Sequence, residues 1–493
     1  MIVLLIAAVV ALAYIFYRIN KKDETYWKHI LAIPGPKSYP IFGTEIYFDN
    51  AENVFKRDRE MAKMYHPIYQ RHSLPLGIVN LIAPEDIELI LNNSKHLEKS
   101  AFYDFLHSWL GNGLLTSKGA NWHKRRKILT PALHFNILQE FVDIFNKEVN
   151  HLVEDFKTIC DQPISLVKPI TEFTLYSIGE TSLGKDLREE PHCDEYKQAV
   201  YEYGENFVYR MVRPWLFMDT FFNMTKVGKR NQEIVKVLHD FSNGIIAERY
   251  KLFKKDGTMS YSERKRLALL DLMIKAKYNG ADIDDVGIRE EVDTFILGGH
   301  DTTAVSLCHT LMLLANNPDI QEEMYQEAIA IVEDPKNPTY TELGELKYIE
   351  RCIKESLRLY PSAPMISRVA GEDVKTKTGY TIPKSAVVSI CIYDTHHSPE
   401  YYENPEKFDP DRFLPENIAS RHPYAYIPFS AGSRNCIGQK YAMLELKSAL
   451  SGILCNFKLE AVTKPSDIIH KGDIVLRPSN EIKVKFVPRT QKK

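Results

Sequence analysis

Phe429-Ser430-Ala431-Gly432-Ser433-Arg434-Asn435-Cys436-Ile437-Gly438 is the densest run of chemical information in this chain. A cysteine between two glycines, two residues after an arginine and just ahead of a helical pattern, suits a thiolate that ligates a buried metal. Gly432 lets the backbone turn tightly before the sulfur, and Gly438 leaves room above the chain for something flat and bulky. From Gln439 onward (Gln-Lys-Tyr-Ala-Met-Leu-Glu-Leu-Lys) the pattern is helical, so Cys436 is expected at a helix N-terminus. There the dipole and the free N–H groups lower a thiol's pKa. Arg434 offers a positive charge to a carboxylate. The competing reading is a buried structural cysteine beside a turn.

The chain around this run has 493 residues, long enough for a large domain with sub-lobes. Hydrophobic residues make up 44% of it, which supplies an ample core, and the net charge of −2 argues against any general attraction to nucleic acid. The cysteines (Cys160, Cys193, Cys308, Cys352, Cys391, Cys436, Cys455) form no CxxC pair, a pattern that suits a reducing compartment.

Residues 1–17 carry no charged side chain and are rich in Ile, Val, Leu and Ala. As a helix they span about 25 Å, enough for a transmembrane signal-anchor when interfacial Tyr14, Phe16 and Tyr17 are counted. A cleaved signal peptide is the alternative, but its small-residue triplet Ala11-Leu12-Ala13 lies inside the apolar run and no Lys or Arg precedes it. Arg18, Lys21 and Lys22 follow the run and place the downstream side in the cytosol. Residues 18–33 then read as a basic linker and hinge, stiffened by Pro34, Pro36 and Pro40, and residues 34–493 as one cytosolic domain.

That domain is expected to be mainly α with minor β (α+β). Long helical patterns occupy much of residues 120–330, and short β-rich stretches such as Thr381–Ile390 follow. Residues 256–262 read as an exposed loop. One helical pattern runs from about Asp285 to Asn316 and stops at Pro318, with Gly298-Gly299-His300-Asp301-Thr302 inside it. Adjacent glycines cost about 1 kcal/mol each in a helix and therefore need a reason. They let the helix face approach a flat cofactor and open a groove for a small diatomic.

The cysteine run, with Phe429, Gly432, Arg434, Cys436 and Gly438 in register, resembles the haem-thiolate signature of the cytochrome P450 superfamily, and the central helix resembles its oxygen-binding helix. The resemblance covers roughly residue 30 to the C-terminus and implies the cytochrome P450 fold with an N-terminal membrane anchor helix. It implies heme b, held non-covalently with Cys436 as the axial thiolate, and protons delivered to dioxygen by Asp301 and Thr302. Trp122, Arg126, Arg368 and Arg434 are then the contacts of the two propionates. Glu355 and Arg358 form a structural triad with Arg412. The basic cluster Lys124 to Lys127, with Lys440 and Lys447, becomes a docking face for an acidic electron donor.

Three stretches, Ser94–Leu115, Thr130–Leu138 and Glu291–Phe295, resemble more narrowly the fourth family of cytochromes P450, especially its insect members. That family is associated with hydroxylating fatty acids, often at the terminal carbon. In many members a glutamate occupies the position of Gly298 and forms an ester with a haem methyl; this chain cannot form it, which weakens the case for strict terminal selectivity. The implied pocket is Phe105, Leu110, Phe295, Gly298, Met365, Ile366 and Val475, all apolar or small. The implied partners are NADPH–cytochrome P450 reductase, cytochrome b5, the lipid bilayer of the endoplasmic reticulum and a lipophilic substrate, with NADPH spent through the reductase. The alternatives are a xenobiotic- or hormone-metabolising monooxygenase, a lipid hydroperoxide isomerase or dehydratase, and a non-catalytic haem-binding protein.

Overall fold

The computed structural model describes residues 24–39, 43–44, 47–48, 50–73, 76–160, 162–255 and 268–489. The anchor expected at 1–17 and the loop expected at 256–262 lie outside them. Among the described residues no helix is long and apolar enough to cross a membrane.

The stretch expected as a linker is folded into the body from Glu24 onward. Helix α1 (Glu24–Ala32) buries Tyr26 and Ile30, four residues apart on one face. Pro34 accepts a hydrogen bond from the Gln70 N–H at 2.8 Å. After α2 (Ala51–Met64), strands β1 (Ile68–Ser73) and β2 (Leu76–Leu81) form a hairpin, and the Gly77 N–H donates to the Tyr26 hydroxyl at 3.1 Å.

The helical body follows. It comprises α3 (Gly119–Leu129), α4 (Phe135–Thr158), α5 (Val167–Ile178), α6 (Cys193–Met211), α7 (Lys226–Lys255), α8 (Asp285–Ile296), α9 (Thr302–Asn316) and α10 (Lys347–Leu359), with further helices between, among them Pro318–Ile331. Strands β3 (Ile366–Val369) and β4 (Val387–Ile390) complete the first sheet in the order β1-β2-β4-β3, with β2 and β4 parallel. Every residue of β4 is buried, as a continuous apolar run beside a parallel neighbour requires. Helix α11 (Gln439–Asn456) ends the helical part, and a three-stranded sheet (Pro163–Ser165, Lys483–Pro488, Phe457–Ala461) closes one end. The architecture is mainly α with small sheets. One large core fills the helical body and a second lies under the sheet.

The central helix has the expected limits but is not uniform. The Asp284 carboxylate caps α8 by accepting the Gly287 N–H at 2.8 Å, and α9 ends at Asn316 before Pro318. Between them Leu297–Asp301 widen into a π-helical turn. Such turns free backbone carbonyls, and here hydroxyls take them up: Thr174 donates to His300 O at 2.9 Å, and Thr302 and Thr303 donate to Gly298 O and Gly299 O at 2.7 Å each.

Candidate active site

The cysteine loop is built on a backbone that only glycine tolerates at Gly432. Its φ is +71°, and a Cβ there would stand 1.9 Å from Leu91 O. The Cys436 N–H donates to Phe429 O at 2.8 Å, which closes the loop. Cys436 precedes the N-cap of α11, Gly438, by two residues, and its sulfur opens on an internal cavity. A Cβ on Gly438 would meet only the Cys436 Sγ, at 3.9 Å, so the space above the loop is free. Two opposing effects act on the thiol at this helix terminus. Burial pushes its pKa up, and the Gly438 N–H and the Arg126 charge offset this only in part. A coordinating metal deprotonates a thiol outright.

Lys99, Arg126 and Arg434 line the same cavity, with Arg368 beside them; Arg59 and Arg71 also line it, but each is matched by a carboxylate, Asp394 and Asp58. Arg434 lies 4.8 Å from the Trp122 ring and donates to Leu97 O at 3.0 Å, Leu114 O at 3.3 Å and Ser117 O at 2.7 Å. Burial and the neighbouring Arg368 bring its pKa down to about 10. Arg126 donates both to the backbone and to the side-chain oxygen of Asn435 at 2.9 Å. Arg368 is 2% exposed, bonds only to Ser367 O at 3.0 Å, and leaves its Nη2 with no partner. The fourth cation, Lys99, was not singled out in the sequence. It is buried, its pKa is pushed well down by burial and by Arg368 and Arg434, and it sits 4.4 Å over the Tyr103 ring. No periodicity marks Lys99; only its place in a largely buried segment does. None of the four forms an ion pair among the described residues.

The cavity encloses about 460 Å³ and reaches from Cys436 past the widened turn to the segment around Val475. Phe295, Gly298, Met365, Ile366 and Val475 line it, as expected. Phe105 and Leu110 do not. Phe105 meets Phe102 edge to face, with the Arg210 guanidinium 4.4 Å over its ring, and Leu110 is fully buried in the helical core. Phe102, Tyr103, Leu106, Leu114 and Leu115 take that wall instead. The two central glycines also divide their work. Nothing lies within 4 Å of a Cβ built on Gly298, whereas one on Gly299 would stand 2.4 Å from Ile178 Cδ1. Gly298 opens the cavity, and Gly299 lets α5 pack closely.

Thr302 lines the cavity, but Asp301 does not. The Asp301 carboxylate is buried and accepts from Arg477 Nη2 at 2.6 Å, and Arg477 Nε is also held by Asp473 at 2.8 Å. A buried carboxylate requires such a partner. Arg477 lies outside every motif read in the sequence, and its only signal is a charge in the apolar run Ile474-Val-Leu-Arg477.

The cytochrome P450 family model matches residues 33–486. This chain belongs to the cytochrome P450 family. It is 40% identical to cytochrome P450 4c3 of Drosophila melanogaster, over 95% of this chain and 92% of the relative. It is also 40% identical to human (Homo sapiens) cytochrome P450 4V2, over 94% and 91% of the two chains, and 39% identical to Drosophila melanogaster cytochrome P450 4p1, over 97% and 95%. The chain is a cytochrome P450 monooxygenase of the fourth-family type, and the family implies haem bound through a cysteine thiolate. The residues present suit that group. A free sulfur faces a cavity lined by Lys99, Arg126 and Arg434, none of which has a carboxylate partner among the described residues, as two propionates require, and the neighbouring Arg368 Nη2 lacks an acceptor.

The expected triad of this cytochrome P450 is closed on itself. Glu355 takes two hydrogen bonds from Arg358 at 2.8 Å each and one from the Asp409 N–H at 3.0 Å, with Arg412 Nε 3.3 Å away. The basic docking cluster is smaller than the sequence suggested. Arg125 turns inward to Glu290 at 3.1 Å, and Lys447 is buried against Glu350 at 2.8 Å. Lys124, Lys127 and Lys440 remain exposed.

Proposed function

We propose that this cytochrome P450 hydroxylates a lipophilic substrate of the fatty-acid class, with electrons from NADPH supplied through NADPH–cytochrome P450 reductase and cytochrome b5. The observation that carries the substrate class is the cavity. Beyond Cys436 its walls are largely aromatic and aliphatic, and the bare Gly298 face gives an extended chain room over the loop. When bound, haem b supplies the oxidising chemistry. Cys436 would be the thiolate ligand, Trp122, Arg126, Arg368, Arg434 and Lys99 would hold the propionates, and Phe429 and Gly438 would contact the group.

Thr302 holds a proton at its Oγ1 on the cavity wall, and Asp301 delivers protons from the interior by leaving Arg477. The apolar wall keeps bulk water from the reacting carbon. The Glu355–Arg358–Arg412 triad braces the cysteine loop. Exposed Lys124, Lys127 and Lys440 suit an acidic donor protein, so turnover with reductase should slow as salt rises. The apolar residues 1–17, together with exposed Trp215, Met218, Phe221 and Met224, suit residence at the endoplasmic reticulum membrane with the domain on the cytosolic side.

The test is product regiochemistry from dodecanoic acid with purified protein, reductase and NADPH. Hydroxylated dodecanoic acid is expected, without strict selectivity for the terminal carbon. No product from a protein with a normal thiolate-type carbon monoxide spectrum overturns the substrate class.

A further inference from the structure

Two of the stretches that resemble the fourth family, Ser94–Leu115 and Glu291–Phe295, are about 180 residues apart in sequence, yet the chain lays one upon the other. Glu290 Oε1 accepts the Asn112 N–H at 2.9 Å, and Glu291 Oε2 accepts the Leu114 N–H at 3.0 Å. The loop lies this close to α8 because residues 111 and 113 carry no side chain. A Cβ on Gly111, whose φ is +50°, would stand 2.3 Å from Glu290 Oε1, and one on Gly113 would stand 2.5 Å from Thr294 Oγ1. Arg125 faces the remaining oxygens, with Nη2 3.1 Å from Glu290 Oε2 and Nε 3.7 Å from Glu291 Oε1.

The opposite side of the same loop is held by Arg434. Leu114 therefore has its N–H gripped by Glu291 and its C=O by Arg434, while its side chain and that of Leu115 line the cavity. Ser117 O and Leu97 O complete the cradle of the Arg434 guanidinium. Glu291 is fully buried, and burial lifts its carboxyl to about 7. An apolar side chain of similar volume fills such a space at lower desolvation cost, so the acceptor oxygen itself must carry the role.

We propose that Glu291 is a positioning residue for the haem site: by holding the Leu114 N–H it fixes the carbonyls that aim Arg434 at the haem edge, and so governs how tightly the chain keeps its haem. This rests on the reading of Arg434 as a propionate contact. The measurement is the rate of haem transfer from holoprotein to excess apomyoglobin, which needs neither substrate nor reductase. Glu291→Met removes the acceptor at similar volume and should release haem about tenfold faster, the effect of one lost hydrogen bond to a charged group. Glu291→Gln keeps an acceptor and should stay within about threefold of the native rate.

In an Arg434→Met background, adding Glu291→Met should change the rate little, because the two act through one path. A residue that merely fills the core would give additive effects. Equal rates for the Met and Gln variants, or additivity with Arg434→Met, overturn the proposal. If Arg434→Met itself leaves release unchanged, the propionate reading fails and this inference fails with it; if only Glu291→Met is silent, this inference alone fails. Should Glu291→Met not fold, Gly113→Ala lifts the loop from α8 without touching a charge, and unchanged release from that variant also overturns the proposal.

Discussion

Two sets of buried cations in this cytochrome P450 are opposite in kind. In the brace, Arg358 and Arg412 face one carboxylate, Glu355, and Arg358 also donates to His396 O and Lys407 O. At the cavity, Arg126, Arg368 and Arg434 face carbonyls and Lys99 faces the Tyr103 ring, with no carboxylate paired to any of them among the described residues. Burial raises the Glu355 pKa but its arginines hold it in check, whereas burial pushes the four unpaired cations down. The closed set stabilises the chain without help. The open set is pushed down chiefly by burial, with repulsion from neighbouring arginines added at Lys99 and Arg434, and an anionic ligand relieves both. Asp301 with Arg477 and Asp473 is a third case, closed yet beside the cavity.

The largest effect should come from opening the closed set. Glu355→Ala leaves two buried guanidinium groups without their carboxylate and should cost about 3–5 kcal/mol, seen as loss of folded holoprotein or a steep fall in Tm.

Paired and unpaired acids should next separate by pH. Burial lifts Glu445, which lies fully buried against Thr303 and Ser177, to about 8. Its folded form binds a proton that the unfolded chain has released above about 4.5, so it removes stability as pH rises from near 5 to 8, by about 1.4 kcal/mol per unit. Glu350 is the opposite case. Burial works against its charge, but Lys354 and Lys447 outweigh it and bring the pKa down to about 2, so its contribution is lost as pH falls from 4.5 through 2. Glu445→Gln should flatten the alkaline limb of a Tm–pH curve and leave the acid limb alone.

Asp301→Asn should lower turnover about a hundredfold. The asparagine oxygen still accepts from Arg477, so stability should change far less than in the brace variant. A stability loss equal to that of Glu355→Ala would make the Arg477 pair a second brace rather than a proton route.

The smallest effect has the most diagnostic sign. Arg368→Met removes an open-set charge. The haem-free protein should be unchanged or about 1 kcal/mol more stable, while haem is released about tenfold faster. Destabilised haem-free protein would erase the distinction between the two sets.

The parts legible in the sequence were those made of neighbours along the chain. The cysteine loop, the bounds of the central helix at Asp285 and Asn316, and the Glu355–Arg358 spacing all depend on φ, on i,i+3 or i,i+4 contacts, and on a proline stop. Lys99 and Arg477 were missed because each derives its role from residues distant in sequence. Phe105 and Leu110 were misplaced because their type suits a pocket wall and a core equally well. Arg125 and Lys447 read as surface charges until Glu290 and Glu350 turned up beside them in space.

The sequence by itself determined the family, the sulfur that faces the cavity and the helix that crosses above it, since each is written in a short run whose geometry is local. The tertiary structure alone decided which charges are matched and which are left open, where Asp301 points, and that Glu291 and Arg434 grip one leucine from both sides. Pairing and burial are properties of three-dimensional neighbourhood, and the free energy of a buried charge depends on that neighbourhood rather than on its place in the chain.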